Sequence, residues 1–382
     1  MRVVVAGGGT GGHIYPAVAV LESLAASGVE TETVFVGTRR GLEGGIVSGL
    51  GYRLRRIVAR PLPAKKNLEY FFSLACALIG TVQSLFILGW DRPNVVIGTG
   101  GYASAPVVMA GRILGVPILL IEPNSIPGRT TTMLARFADE VALGLQESVR
   151  YFSRGTNLRV TGVPIRPSML SCTRDDGMRL FGLDPGRKTV FVFGGSRGAS
   201  SINRAFVDAA RTLQDRGDLQ FLVQTGAGDY EMVVGAVSDL RIPCVVHPYI
   251  DDIGHAYAAG DLAVCRAGAG TIAELTAFGL PSILIPYPHA TGGHQETNAR
   301  ILEESGAASV ILDEDLNGRN LANTIVAIID DAQHLGDMSR NSQGLGNPDA
   351  PREIAVRLVD LAEHKGRISR LAAVLVELCS VR

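Results

Sequence analysis

The chain lacks the cysteine pattern of a disulfide framework. Its five cysteines, Cys76, Cys172, Cys244, Cys265 and Cys379, are odd in number and show no Cys-x-x-Cys spacing, so reduced thiols are expected. No basic segment or cleavage signal precedes the first apolar run, which argues against a secretory signal peptide and for an intracellular setting. Nor does any nucleic-acid-binding module accompany the basic residues, so no nucleic-acid partner is expected. The net charge of −1 conceals an imbalance, with residues 1–160 carrying +6 and the remainder −7. A basic first half without a nucleic-acid module leaves acidic lipid or a phosphorylated substrate as its counterpart.

What the chain has in quantity is glycine, 46 residues of 382, gathered at the ends of apolar runs. Val3-Val4-Val5-Ala6 leads into Gly7-Gly8-Gly9-Thr10-Gly11-Gly12-His13, and the apolar run Ile14 to Leu24 follows. This reads as strand, loop without side chains, and helix N-terminus, where free N–H groups and the positive end of the dipole favour an anion. Gly7, Gly9 and Gly12 also satisfy a dinucleotide fingerprint. That reading needs an acid at the end of the second strand, about 20 residues beyond the glycines, to hold a ribose. Here Thr33-Val34-Phe35-Val36 ends in Gly37-Thr38-Arg39, and the nearest acids, Glu30 and Glu32, lie at its other end.

Strands are predicted near Val3–Ala6, Thr33–Val36, Val95–Ile97, Pro117–Ile121 and Glu140–Leu143, then again at Lys188–Phe193, Leu219–Thr225, Val245–Pro248, Leu262–Cys265 and Ser282–Ile285. Between them lie stretches long enough for crossover helices, which predicts an α/β chain of two doubly wound, parallel-sheet domains facing a cleft. The predicted division places 1–163 in the first domain and 164–346 in the second, because Pro164 and Pro167 interrupt regular structure. A closing helix at 347–363 is expected to return to the first domain, and 364–382 reads as an extension.

Three further loops follow predicted strands: Gly98-Thr99-Gly100-Gly101-Tyr102, Gly194-Gly195-Ser196-Arg197-Gly198-Ala199, and Arg266-Ala267-Gly268-Ala269-Gly270-Thr271-Ile272-Ala273-Glu274. In the last, small residues let backbone N–H groups approach phosphate, and Glu274 offers two acceptor oxygens to sugar hydroxyls. Tyr70 to Trp90 holds no charge over 21 positions, long enough to span a bilayer. Its place between strands of one sheet favours an interfacial helix instead. Arg53, Arg55, Arg56, Arg60, Lys65 and Lys66 precede it, a cluster suited to anionic headgroups.

These motifs, with Tyr249-Ile250-Asp251-Asp252 and in this order, resemble the MurG family over about residues 1–363. Its members are the membrane-associated N-acetylglucosaminyltransferases that make lipid II in bacterial peptidoglycan synthesis. The resemblance implies the GT-B fold. Asp251 and Asp252 form an adjacent pair rather than a spaced ligand set, so no obligatory metal is expected, and no cofactor either. The resemblance also implies a peripheral enzyme on the cytoplasmic face of the inner membrane, with UDP-N-acetylglucosamine, a polyprenyl-pyrophosphoryl muramyl-peptide and anionic inner-leaflet lipid as partners.

By the same resemblance Arg166 and Ser196 would approach the diphosphate, the Ile250 backbone would read uracil and Glu274 would hold the ribose. Ala269, Gly270 and Thr271 would supply backbone contacts, and Gln295 would bind the sugar ring. Thr10, Gly11, Gly12 and Asn124 would face the transferred sugar, with Tyr102 on the acceptor side. The chain departs from the family pattern at Ile121-Glu122-Pro123-Asn124, at Thr131, and before His294-Gln295. Glycosyl transfer needs a proton acceptor, for which His13 is the candidate. The rival readings are another UDP-sugar glycosyltransferase or an epimerase of the same fold, or a nucleotide-sugar sensor without activity.

Overall fold

The computed structural model describes residues 1–8, 11–38, 43–63, 65, 67–195 and 198–363. They form two compact units. The first comprises 1–166 and the chain from Asp349 onward, and the second runs from Pro167 to Pro348.

The first unit is built on seven parallel strands: β1 (Arg2–Ala6), β2 (Glu32–Gly37), β3 (Arg53–Arg56), β4 (Val95–Gly98), β5 (Ile118–Glu122), β6 (Glu140–Leu143) and β7 (Leu158–Val160). Their spatial order is β3-β2-β1-β4-β5-β6-β7. Alternate residues serve opposite faces, as the pleat requires. Val3 and Val5 enter a core with Ile14, Val18 and Leu21 of the helix Gly11–Ala26, while Val4 and Ala6 enter one with Val107 and Val108 of the helix Ser104–Ile113. Burial on both faces explains why these strands read as unbroken apolar runs.

The second unit holds six parallel strands: β8 (Lys188–Phe193), β9 (Leu219–Gln224), β10 (Cys244–His247), β11 (Leu262–Cys265), β12 (Ser282–Leu284) and β13 (Ala308–Val310). Their order is β10-β9-β8-β11-β12-β13. Val190 and Val192 pack on one face, Phe191 and Phe193 on the other. The strands that sequence reading did not anticipate, β3, β7 and β13, all lie at sheet edges. Edge strands are shorter and less enclosed, so they leave no long apolar run. The β3 sequence is Arg-Leu-Arg-Arg.

That edge also revises the basic cluster. Arg53 pairs with Glu32 on the neighbouring strand, and Arg55 lies 3.9 Å from Asp91. Arg60 instead sits over the ring of Phe72, 5.2 Å from its centroid. Lys66 lies outside the described residues.

The helix Leu68–Asp91 contains the uncharged run and has its polarity inverted. Its N-cap Asn67 accepts from the Tyr70 amide, and its buried residues are Ser73, Cys76, Gly80, Ser84 and Leu88. Four of these five are small, and they fall at intervals of three and four, so they form one stripe. At Gly80 a side chain would lie 2.3 Å from the Val58 carbonyl, so the close approach requires glycine. Leu68, Phe71, Leu78, Phe86 and Trp90 are exposed, each by 60 % or more. The helix is long and apolar enough to cross a membrane, yet its small-residue stripe is docked on the unit.

The helix at 350–363 completes the first unit by placing Ile354, Ala355 and Leu358 in the core beside the helix Gly11–Ala26. It is fastened by Arg357, whose Nη2 donates to Glu140 Oε2 at 2.8 Å and whose Nε lies 3.1 Å from the same oxygen. The Glu140 side chain is 1 % exposed, and Arg159 lies 3.5 Å away as a second partner. Removing one partner of a buried pair leaves a charge with incomplete compensation. Arg357→Ala should therefore cost roughly 2–4 kcal/mol, below the full cost of a lost buried pair because Arg159 remains. A urea-melt midpoint within error of the parent would contradict this.

Candidate active site

In the first unit the register aligns Ala6 of β1 with Gly98 of β4, so the two glycine loops leave the sheet side by side. His13, in the first turn of its helix, reaches across, and its Nδ1 lies 2.8 Å from the Thr99 carbonyl oxygen. A carbonyl only accepts, so the neutral ring bears its proton on Nδ1 and its lone pair on Nε2. Gly100 has φ +93°, and a side chain there would lie 3.2 Å from His13 Cε1. Its backbone conformation therefore favours glycine, and a side chain would also crowd the His13 ring.

Ser104 Oγ, 2.8 Å from the Ala6 carbonyl and 2.5 Å from that of Gly100, ties the second loop to the end of β1. The Tyr102 hydroxyl lies 3.4 Å from Thr38 Oγ1. Asn124 is held by Glu122, whose buried carboxylate accepts from the Asn124 side-chain amide at 3.1 Å and from the Gly128 amide at 3.0 Å. The departure Ile121-Glu122-Pro123-Asn124 thus forms an ordered turn. Thr131, the second departure, is buried. Arg166 ends the first unit, with its guanidinium 5.0 Å from the centre of the Tyr15 ring.

In the second unit the helix Ala269–Phe278 starts after Gly268, which offers no side-chain cap. The first-turn amides of Ala269, Gly270 and Thr271 therefore have no capping side chain, the condition for anion binding at a helix start. A side chain on Gly270 would meet no protein atom within 4 Å, so there is open space there. Glu274, half-buried in the second turn of this helix, accepts at Oε2 from the Tyr257 hydroxyl at 2.7 Å. Gln295 Oε1 accepts from the Tyr287 amide at 2.9 Å, which orients its amide group. Ile250 is buried, and its N–H donates to Gln224 Oε1 at 2.9 Å.

The structure adds residues that sequence reading did not single out. Gln224, buried at the end of β9, accepts from Ile250 and donates from Nε2 to the Gly195 carbonyl at 3.2 Å, so one side chain fixes two loops. Arg266 donates to Asp313 at 2.5 Å, to the carbonyls of Ile285 and Pro286 at 3.2 Å, and to Ser201 at 2.8 Å. It braces the loop ahead of the helix Ala269–Phe278. Asp252 lies 2.9 Å from His255 Nδ1, and Cys172 Sγ lies 3.5 Å from the same nitrogen. Both partners meet one ring atom, so this group forms no proton relay. Nothing in local sequence marks the Gln224 and Arg266 contacts, which join residues far apart in the chain.

His13, Gly12, Tyr102 and Asn124 thus fall on the first unit. Ile250, Ala269, Gly270, Thr271, Glu274 and Gln295 fall on the second. Gly11 begins the helix that carries His13. Thr10 and Ser196 lie outside the described residues.

Residues 3–143 match the glycosyltransferase family 28 N-terminal domain, and residues 189–354 match the family's C-terminal domain. The UDP-N-acetylglucosamine–N-acetylmuramyl-(pentapeptide) pyrophosphoryl-undecaprenol N-acetylglucosamine transferase of Desulforamulus reducens is 42% identical over 360 residues, spanning 93% of this chain and 97% of its own. The crystal structure of Acinetobacter baumannii MurG superposes with a TM-score of 0.74 at 25% identity, covering 94% of this chain and 99% of that one. A UDP-GlcNAc 2-epimerase from Neisseria meningitidis, bound to UDP-GlcNAc, gives 0.65 at 11% identity, covering 94% and 100%, a likeness of fold alone. With both domains matched and a relative of this identity along nearly its whole length, the chain belongs to glycosyltransferase family 28, among the N-acetylglucosamine transferases of the pyrophosphoryl-undecaprenol muramyl-pentapeptide.

Proposed function

We propose that this protein transfers N-acetylglucosamine from its UDP conjugate to the muramyl sugar of undecaprenyl-pyrophosphoryl-MurNAc-pentapeptide, converting lipid I to lipid II. The observation that carries the reading is the second unit's Glu274, a half-buried carboxylate behind an uncapped helix start with open space at Gly270. A ribose and its phosphates need such a pairing. The helix-start amides would take the diphosphate, with Arg166 and Ser196 supporting it, the Ile250 carbonyl would accept from uracil, and Gln295 would bind the sugar. Thr10, Gly11, Gly12, Asn124 and Tyr102 would serve the transferred sugar and the acceptor. No cofactor enters this scheme.

In the reaction the muramyl hydroxyl oxygen attacks C1 of N-acetylglucosamine as the bond from C1 to the UDP oxygen breaks. The α-linked donor gives a β-1,4 product by inversion. Charge develops on the diphosphate, where fixed N–H dipoles stabilise it most as it forms. The hydroxyl proton passes to His13 Nε2, the nitrogen that carries the lone pair while Nδ1 is held by Thr99. A UDP-release assay with and without the lipid-linked acceptor tests the whole reading. Release that needs no acceptor would favour hydrolysis, and donor binding without any release would favour a sensor.

The exposed apolar face of the helix Leu68–Asp91, with Arg60 and Lys65 ahead of it, supports docking on the anionic cytoplasmic leaflet, where a polyprenyl-linked acceptor resides. On this reading the protein is peripheral rather than spanning.

Glu274→Ala should weaken UDP binding roughly 10- to 150-fold, the range for losing hydrogen bonds to a charged group. Calorimetry showing unchanged affinity would remove Glu274 from the donor site. For His13→Ala we expect turnover to fall by about 10²–10⁴ with donor binding nearly retained, as for loss of a general base. A loss below tenfold would return His13 to a structural role. The protein should sediment with anionic vesicles at low salt and be largely released at high salt, because screening shortens the reach of surface charge to about 3 Å at 1 M. Changing Arg60, Lys65 and Lys66 to Ala should weaken this association more than changing the ion-paired Arg53 and Arg55. Pelleting that yields only to detergent would point to a true span.

A further inference from the structure

The second unit contains a buried tyrosine that the proposed chemistry does not use. Tyr257 lies in the helix Ile253–Ala259 and is 1 % exposed. Its ring stacks on Phe278 at 5.5 Å and meets Phe191 and Phe193 edge-on at 5.7 and 5.6 Å. This aromatic cage would be served as well by phenylalanine. The hydroxyl nevertheless reaches out of it to Glu274 Oε2 at 2.7 Å. Burial, and then the neighbouring carboxylate, push the phenol well above its ordinary pKa, so it remains a proton donor across the working range.

A glutamate has three torsions, and on a helix surface it samples several directions. A rigid donor on one carboxylate oxygen fixes the carboxylate plane and thereby the direction of the other oxygen. We propose that Tyr257 is a positioning residue that aims Glu274 at the donor's ribose hydroxyls and so sets the preference for a ribonucleotide donor. This rests on the reading of Glu274 as the ribose ligand. Tyr257 would touch no part of the substrate and would act only through Glu274.

The test compares the binding of UDP, 2′-deoxy-UDP and 3′-deoxy-UDP by calorimetry in the full-length protein, its Tyr257→Phe and Glu274→Ala variants, and the double variant. A ratio of affinities within one preparation does not depend on the folded fraction, so mild destabilisation cannot imitate the effect. The parent should prefer UDP over at least one deoxy analogue by roughly 10- to 150-fold, the range for a hydrogen bond to a charged group, and Tyr257→Phe should shrink that preference by roughly 5- to 30-fold, less than the whole because the Glu274 carboxylate remains. The double variant should discriminate no worse than Glu274→Ala alone, because the two residues act as one unit. In steady state, Tyr257→Phe should raise KM for UDP-N-acetylglucosamine with kcat nearly unchanged.

If Glu274→Ala abolishes the preference while Tyr257→Phe keeps it, the positioning role is overturned and the ribose reading stands. If Glu274→Ala itself keeps the preference, the ribose reading fails and the proposal fails with it. A fall in kcat without a change in the ratio would assign Tyr257 to packing.

Discussion

In a parallel sheet every strand ends at the same edge, and the helices that follow leave toward opposite faces only where the strand order reverses. Loops on either side of such a reversal diverge, and the opening between them admits a ligand. The first sheet reverses between β1 and β4 and the second between β8 and β11. The four glycine loops follow these four strands. Glycine there lets backbone come close to backbone, or to the His13 ring at Gly100, and it leaves N–H groups rather than side chains at the opening. The positions of His13 and Glu274 follow from where the sheets reverse.

What the sequence made legible follows the same physics. Central strands are covered on both faces and must be apolar throughout, so they announced themselves, and so did the loops that end them. Edge strands have no such requirement, and β3 carries three arginines. The residues that orient the site were hidden for another reason. Gln224, Tyr257 and Asp313 act through partners 17 to 47 positions away, and no local pattern encodes a contact between different strands or helices. The uncharged run at 70–90 was visible by length, but its orientation was not. Reading Ser73, Gly80 and Ser84 as the inward face requires knowing that small residues let the helix lie close to the Val58 carbonyl and to Pro106 of the helix Ser104–Ile113.

The likeness to an epimerase of low identity shows how little the fold alone decides. Two parallel α/β units can present nucleotide-sugar chemistry of several kinds. Assignment to glycosyl transfer draws on 42% identity along 93% of the chain and on the match to both domains of the family. The two units also differ in how their loops are secured. The first relies on backbone carbonyls meeting His13 and Ser104, whereas the second uses the long side chains of Gln224 and Arg266 as cross-braces.

The return of the helix at 350–363 makes the second unit, topologically, an insertion within the first. During synthesis on the ribosome the first seven strands emerge early, but the core beside the helix Gly11–Ala26 waits for Ile354 and Leu358, nearly at the end of the described chain. The first unit is therefore incomplete for most of translation, with the outward-facing helix Leu68–Asp91 already exposed. Residues 167–348 are contiguous and can close their own core as soon as they leave the exit tunnel. Completion of the first unit therefore has to follow synthesis of the second.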